Sequence, residues 1–402
     1  MARRSAAAHR PDRLVTRPEA ARPRAARPQA VPPPAVPPQA SRTRARGAAR
    51  TGLALVALVA VLAACSPSAG QDEASARQAD PAPSSAVTPA ATAGTAAEPT
   101  PSPTPSPTPA PPPDVAEVLA ALAPELGPSV PSPTYVPDPA HARDSYPDHY
   151  DEKCHQDIDG DTPYRCSYGD KEAGTDVLLV GDSHAAHWLS GLRVAAEDAG
   201  WHLEVSSKTA CPVIDQLVWI RARDAQYDAC LDWGEAVVDR ILADPPDLVV
   251  TSLSGEYDVV VDGEMVPAGA EADEVLRASM ERTWSRLEDA GVRVVVVQDT
   301  PWLAQELGDC VGAHPDDPAQ CDTPTDEALA ASGQENIATA AEATGTPVID
   351  LTPWLCSDEV CPAVVDGTLV MRDEHHVTAE YSRALAPVLE AAVDAVLQQP
   401  VG

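Results

Sequence analysis

Phenylalanine is absent from the chain, and aromatic residues make up only 4% of its 402 positions. With its abundant Ala, Asp, Pro and Val, this bias points to a high-GC coding sequence and carries no mechanistic information. Basic residues are scarce beyond the N-terminus. Residues 1–50 hold 12 of the 28 Lys and Arg but only 2 of the 61 Asp and Glu, which leaves residues 51–402 with a net charge of −43. Such a surface repels phosphate backbones and anionic headgroups, which excludes nucleic acid and acidic lipid as direct partners. No C-x-x-C pair and no H-E-x-x-H occurs, so thiolate and zincin-type metal sites are not indicated. The uncharged, almost wholly apolar stretch 51–64 falls short of the roughly 20 apolar residues a membrane-spanning helix needs.

That stretch follows Arg42, Arg44, Arg46 and Arg50 and ends in Leu62-Ala63-Ala64-Cys65, as the apolar core of an export signal does. The last four residues resemble the lipobox of bacterial lipoproteins. The resemblance implies cleavage before Cys65, lipidation of that cysteine and attachment to the outer face of the bacterial cell membrane; the alternative is an ordinary secretory signal. Either reading exports the remainder. Residues 1–50 are longer than a usual signal n-region, which points to translation starting nearer Val31 or Val36 rather than to a nucleic-acid-binding arm.

Besides Cys65 there are eight cysteines, and they fall as sequence neighbours: Cys154 with Cys166, Cys211 with Cys230, Cys310 with Cys321, Cys356 with Cys361. In an exported chain those pairs are expected as four disulfides. Residues 66–114 are rich in Ala, Pro, Ser and Thr and nearly free of large apolar residues, so they cannot offset the entropy of ordering and read as a disordered linker. A short amphipathic helix is expected at 115–123, followed by an irregular Pro- and Tyr-rich lead-in to about 145 and a folded body over 146–398.

Within that body strand-like apolar runs alternate with helical periodicity. Runs at 177–180, 203–205, 248–251, 292–297 and 347–351 are separated by helical patterns at 185–196, 233–242, 271–290 and 325–343, and a last helix carries Leu385, Val388, Leu389, Ala392 and Val396. Continuous Val and Leu runs between helices imply a parallel sheet buried on both faces. The expected class is α/β, a three-layer α/β/α sandwich.

Chemistry concentrates at two places. Gly181-Asp182-Ser183-His184 follows the first strand, so Ser183 opens a helix at a strand's carboxyl end, where sites form in parallel sheets and outward N–H groups can stabilise an oxyanion. Near the C-terminus, Asp373-Glu374-His375-His376 offers a carboxylate and an imidazole three positions apart. Asp182 before the serine and the lack of a second glycine distinguish this turn from the G-x-S-x-G elbow. Beside the serine, His184 reads either as a substrate contact or as a buttress of the turn. Trp188 reads as core rather than as a sugar platform. A metal site from His375, His376 and Glu380 has no supporting motif, and no metal or cofactor is expected.

The GDSH sequence behind a strand, with D-x-x-H before a small hydroxylated residue and a closing helix, resembles the SGNH (GDSL-type) hydrolase superfamily. More narrowly, residues 146–389 resemble the extracytoplasmic SGNH domain of membrane O-acyltransferases that acetylate surface carbohydrates. The matching pieces are residues 164–170, 181–188, Ala210-Cys211-Pro212, Asp299-Thr300-Pro301 with Cys310 and Cys321, Ile349-Asp350-Leu351 with Trp354, Cys356 and Cys361, and residues 372–378. The resemblance implies Ser183 as nucleophile, His376 as general base and Asp373 as its orienter. His376 is preferred to His375 because it directly precedes Val377-Thr378; His375 is then a neighbour of the substrate or a structural residue. Many family members add an oxyanion glycine after the second strand and an asparagine after the third. Here those places read 206–210 and 252–256 without Asn, which leaves the Ser183 backbone amide and Ser254 as the expected donors.

The reaction implied is two-step acyl transfer, an O-acetyltransferase or acetylesterase acting on cell-envelope carbohydrate, with a multi-pass membrane acyltransferase as the acyl donor if transfer is the outcome. The other class kept open is a tethered, non-catalytic glycan-binding or cell-wall-associated domain with the same fold.

Overall fold

The computed structural model describes residues 112–400. The export signal, the lipidation expected at Cys65 and nearly all of the Pro-rich linker lie outside those residues.

Seven strands form one sheet: β1 (His155–Gln156), β2 (Cys166–Gly169), β3 (Asp176–Gly181), β4 (His202–Lys208), β5 (Leu248–Ser252), β6 (Val294–Val297) and β7 (Val348–Ile349). The order is β1-β4-β3-β5-β6-β7, parallel throughout, and β2 adds antiparallel along the outer edge of β4. The chain therefore runs outward from β3 in one direction through β4, then returns across β3 to build β5, β6 and β7. The place where the order reverses, at the carboxyl ends of β3 and β5, is where ligands bind in sheets of this kind.

The helices that cover the sheet are α1 (Val115–Leu122), α2 (Ser183–Ala186), α3 (Leu189–Ala199), α4 (Asp228–Ala243), α5 (Ala270–Glu288), α6 (Gln334–Thr344) and α7 (Ala386–Gln398). Because successive strand side chains point to opposite faces, β3 feeds two cores. Val177 and Leu179 join Leu203, Val205, Val250 and Val297 under α1, α3 and α7. Leu178 and Val180 join Val249, Val294 and Val296 under α4, α5 and α6, where Trp233, Met280, Trp284 and Ile337 fill the layer. The three-layer α/β/α sandwich expected from the sequence is the architecture observed.

Several boundaries differ from expectation. The helical pattern at 325–343 is broken into Thr325–Ala330 and α6. The break admits Gly333, whose backbone meets that of Gly255 so closely that a Cβ on either would lie 2.1 Å from the other's backbone. The pattern after Ser183 is likewise split into α2 and α3, the last strand shrinks to β7, and β4 extends from 203–205 to His202–Lys208. Three hairpins were not anticipated: Trp219–Ile220 with Ala225–Gln226, Val259–Val261 with Glu264–Val266, and Val364–Val365 with Thr368–Leu369.

All four expected disulfides are present. Cys154–Cys166 ties the two segments lying along the outer edge of β4, and Cys211–Cys230 ties the loop after β4 to the first turn of α4. Cys310–Cys321 and Cys356–Cys361 brace the loops between β6 and the C-terminal site. Among the described residues no helix is long and apolar enough to cross a membrane.

Candidate active site

Strand β3 ends at Gly181, whose φ is 145°. A Cβ there would stand 2.0 Å from the Ser252 carbonyl oxygen, so only glycine lets β3 and β5 close at their carboxyl ends. Asp182 caps the next turn by accepting from the His184 amide at 2.7 Å, and Ser183 becomes the first helical residue. An amide in that position has no intrahelical acceptor, and none is found for Ser183 among the described residues.

From the other end of the chain, Arg372-Asp373-Glu374-His375-His376 folds back on itself, the Arg372 amide donating to the His376 carbonyl at 2.8 Å. One Asp373 oxygen accepts from the amides of His375 (3.1 Å) and His376 (2.8 Å), which pins the carboxylate to its own loop. His376 Nδ1 lies 2.9 Å from both Asp373 oxygens, and its Nε2 lies 2.8 Å from Ser183 Oγ. Arg372 Nη1 completes the Asp373 shell at 3.0 Å. The three residues named for chemistry are thus brought into one hydrogen-bonded line across 193 positions of sequence.

Two further carboxylates support the rim. Asp182 is fully buried; its second oxygen accepts from the Ser254 amide at 2.8 Å and from the Tyr257 hydroxyl. The Ser254 amide is therefore spent on Asp182, and its hydroxyl lies 3.4 Å from the Glu256 carbonyl oxygen. Asp299, which follows β6, accepts from the amides of Gly255 (3.0 Å) and Thr300 (2.8 Å) and lies 2.5 Å from His184 Nδ1. His184 Nε2 in turn lies 2.9 Å from His375 Nδ1. His184 is 1% exposed and both its ring nitrogens have protein partners. Trp188, also 1% exposed, is core. At the carboxyl end of β4, Ser207 Oγ is held by His149 Nε2 and His155 Nδ1, and Lys208 Nζ donates to the carbonyls of Asp157, Ile158 and Gly160, so neither side chain is free.

Residues 153–391 match the family described as SGNH domain (fused to AT3 domains). The chain belongs to this family. Among solved structures it is similar to the periplasmic domain of a lipopolysaccharide acetyltransferase from Salmonella ser. Paratyphi A, at 14% identity over 64% of this chain and 98% of that one, with a TM-score of 0.46. It is also similar to an acetyl xylan esterase (12% identity, 55% and 99% covered, TM-score 0.32) and to a GDSL-like lipase from Bacteroides thetaiotaomicron (11%, 56% and 87%, TM-score 0.30). No curated protein matches the chain.

The electrostatics of the SGNH domain divide its imidazoles into two kinds. Burial, reinforced by the charge on His184 and only partly offset by Asp373, pushes His376 down to about 3, so it is neutral and able to take a proton. Asp373 is held well below the usual carboxylate range: burial opposes its charge, but the His376 hydrogen bond and Arg372 outweigh it. His184 goes the other way. Burial disfavours its charge, yet the Asp299 carboxylate bonded to Nδ1, with Asp182 and Asp373 nearby, raises it, while Asp299 is lowered in return.

The nitrogens of His184, His375 and His376 come within 4.8 Å of one another, a spacing that could hold a metal ion. Both nitrogens of His184 and His376 and the inner nitrogen of His375 already have hydrogen-bond partners, so an ion would have to break the line to Ser183. The trio of His375, His376 and Glu380 is not assembled, because Glu380 is bonded to Ser145. Asp299, Arg372 and Trp302 escaped the sequence reading as site residues; for Asp299 the signal was its place just past an apolar strand, the same placement that singled out Ser183.

Proposed function

We propose that this SGNH domain carries out serine-dependent acyl transfer or ester hydrolysis on cell-envelope carbohydrate. Ser183 Oγ attacks an acyl carbonyl while His376 Nε2 takes its proton, and Asp373 holds the imidazole in the required tautomer and offsets the imidazolium charge. The proton then passes to the departing alcohol or thiol, and the acyl-enzyme is resolved by a sugar hydroxyl or by water. The observation that carries this reading is the line from Asp373 through His376 to Ser183 Oγ, set at the N-terminus of a helix whose first amide is free.

The reading extends to place and partner. The lipobox-like Cys65 and four disulfides support a domain exported and anchored outside the cytoplasmic membrane, beyond a linker at 66–114. The family's description, fused to AT3 domains, supports a multi-pass membrane acyltransferase as the acyl donor. A serine-directed fluorophosphonate probe tests the core of the proposal. Wild-type protein should be labelled and Ser183→Ala should not; equal labelling removes Ser183 as nucleophile, and no labelling of either favours a glycan-binding module.

A further inference from the structure

Behind the Ser183 line runs a second one, Asp299–His184–His375, that the proposed reaction does not use. Its links are 2.5 Å and 2.9 Å, and the His184 and His375 ring planes lie within 15° of parallel, which suits a hydrogen bond running from one ring edge to the next. Asp299 and His184 are buried, and Asp299 is fixed by two backbone amides. His375 is half-buried and packs against the His376 ring at 4.2 Å between centroids and against the Trp302 indole at 4.8 Å, nearly parallel to it. Its carbonyl accepts from the Thr300 hydroxyl at 2.6 Å, which fixes the backbone as well. Its Nε2 has no hydrogen-bond partner among the described residues. A group held from behind at every point except one polar atom is built to present that atom.

What it faces follows from the chemistry at His376. That imidazole returns its proton to the departing alcohol oxygen, or removes one from an incoming hydroxyl, so the alcohol half of the ester must lie against His376 Nε2. His375 packs against the His376 ring, and Trp302 stacks on His375. On the reading that Ser183 is the nucleophile, we propose that His375 Nε2–H donates a hydrogen bond to a hydroxyl oxygen of a carbohydrate alcohol, beside the Trp302 indole, with Asp299 and His184 as positioning residues. Asp299 fixes the proton on His184 Nδ1. A charged His184 then donates from Nε2 to His375 Nδ1, which leaves the remaining His375 proton on Nε2. The groups that face His184 are Asp182, Asp299, Asp373, His187, His375 and His376; burial opposes its charge, and the three carboxylates maintain it. His375 itself is kept neutral, pushed down to about 4 by burial and by His184. When His184 loses its proton, His375 Nδ1–H must donate backward and its Nε2 becomes an acceptor.

The experiment compares 6-O-acetylglucose with p-nitrophenyl acetate, whose alcohol carries no hydroxyl neighbours. His375→Ala should lower kcat/KM for the sugar ester by about 10- to 100-fold, the scale of a lost hydrogen bond to substrate, and lower that for the nitrophenyl ester far less. His375→Gln, which keeps a side-chain N–H, should recover part of the sugar activity. For the sugar ester the wild-type profile should fall on the alkaline side, and Asp299→Asn should move that fall to lower pH, a change that a merely structural role would not produce. Equal losses on both esters, no rescue by glutamine, or an unmoved alkaline limb each overturn the proposal. Fluorophosphonate labelling of Ser183 in every variant separates the two failures. An unlabelled wild type removes the nucleophile and this inference together, whereas normal labelling with no discrimination between esters removes this inference alone.

Discussion

His376 and His375 are adjacent, both half-buried, both depressed by burial, and differ in what lies at each ring edge. His376 joins a carboxylate to a hydroxyl, whereas His375 meets another imidazole and an open space. Replacing His376 by alanine should lower kcat on p-nitrophenyl acetate by about 10³- to 10⁴-fold or more, as loss of a triad member does, while His375→Ala costs much less on that ester. A larger loss from His375→Ala would show that the base had been assigned to the wrong ring. The same burial sets the acid side of the pH profile. Because His376 is pushed down to about 3, it remains an unprotonated base well below the ordinary histidine range, and kcat/KM should hold as pH falls through 6.5 to at least about 5. Initial rates across that interval, with folding checked by circular dichroism, give the test; a half-loss near 6.5 would mean an ordinary, solvated histidine.

At the scale of elements, the site depends on two backbone approaches that side chains cannot enter. An alanine at Gly181 would push into the Ser252 carbonyl and the Ala185 methyl, parting β3 from β5 directly beneath Ser183. An alanine at Gly255 would push into Gly333 and pull the Gly255 amide from Asp299. Both substitutions should reduce activity by more than they reduce stability, read as kcat against the urea midpoint; the reverse pattern would place these glycines in folding alone. Such contacts also mark the limit of what the chain reveals before it folds. Five of the six parallel strands were legible because each holds a short apolar run between helical patterns, whereas β1, only His155–Gln156, carries none; the Ser183, Asp373 and His376 assembly was legible because each sits in a local motif. The break before α6 was not, since Ser332-Gly333 looks like any soft point in a helix until Gly255 arrives from across the sheet. Two of the unanticipated hairpins did carry a signal: Asp262-Gly263 and Asp366-Gly367 both have positive φ at each residue, the turn that Asp-Gly favours between apolar runs. Asp299 was visible only as part of a matching motif, and its pairing with His184 was not, because the two are 115 positions apart and nothing in sequence couples them.

At the scale of the whole molecule, charge and burial pull in opposite directions as the solution is acidified. A net charge of −43 over residues 51–402 favours mild acid, because protonating surface carboxylates relieves their mutual repulsion. Against that stand five imidazoles held neutral by burial: His149 and His155 pushed down to about 3, His187 pushed well down, His375 to about 4 and His376 to about 3. In the unfolded chain each takes its proton near pH 6.5; in the folded chain it does not until the pH has fallen to those lower values. Between them the unfolded chain binds more protons, so stability drops as pH falls through that window. His149 and His155 allow the two effects to be separated, since both hold Ser207 on β4 and neither is hydrogen-bonded to Ser183. The wild-type urea midpoint should fall between pH 7.5 and pH 5, and the double substitution His149→Gln, His155→Gln should show a smaller fall whatever its absolute stability. The carboxylate contribution is common to both proteins and cancels in the comparison. An equal fall in the two would assign the acid sensitivity to other groups and leave the buried histidines without thermodynamic weight.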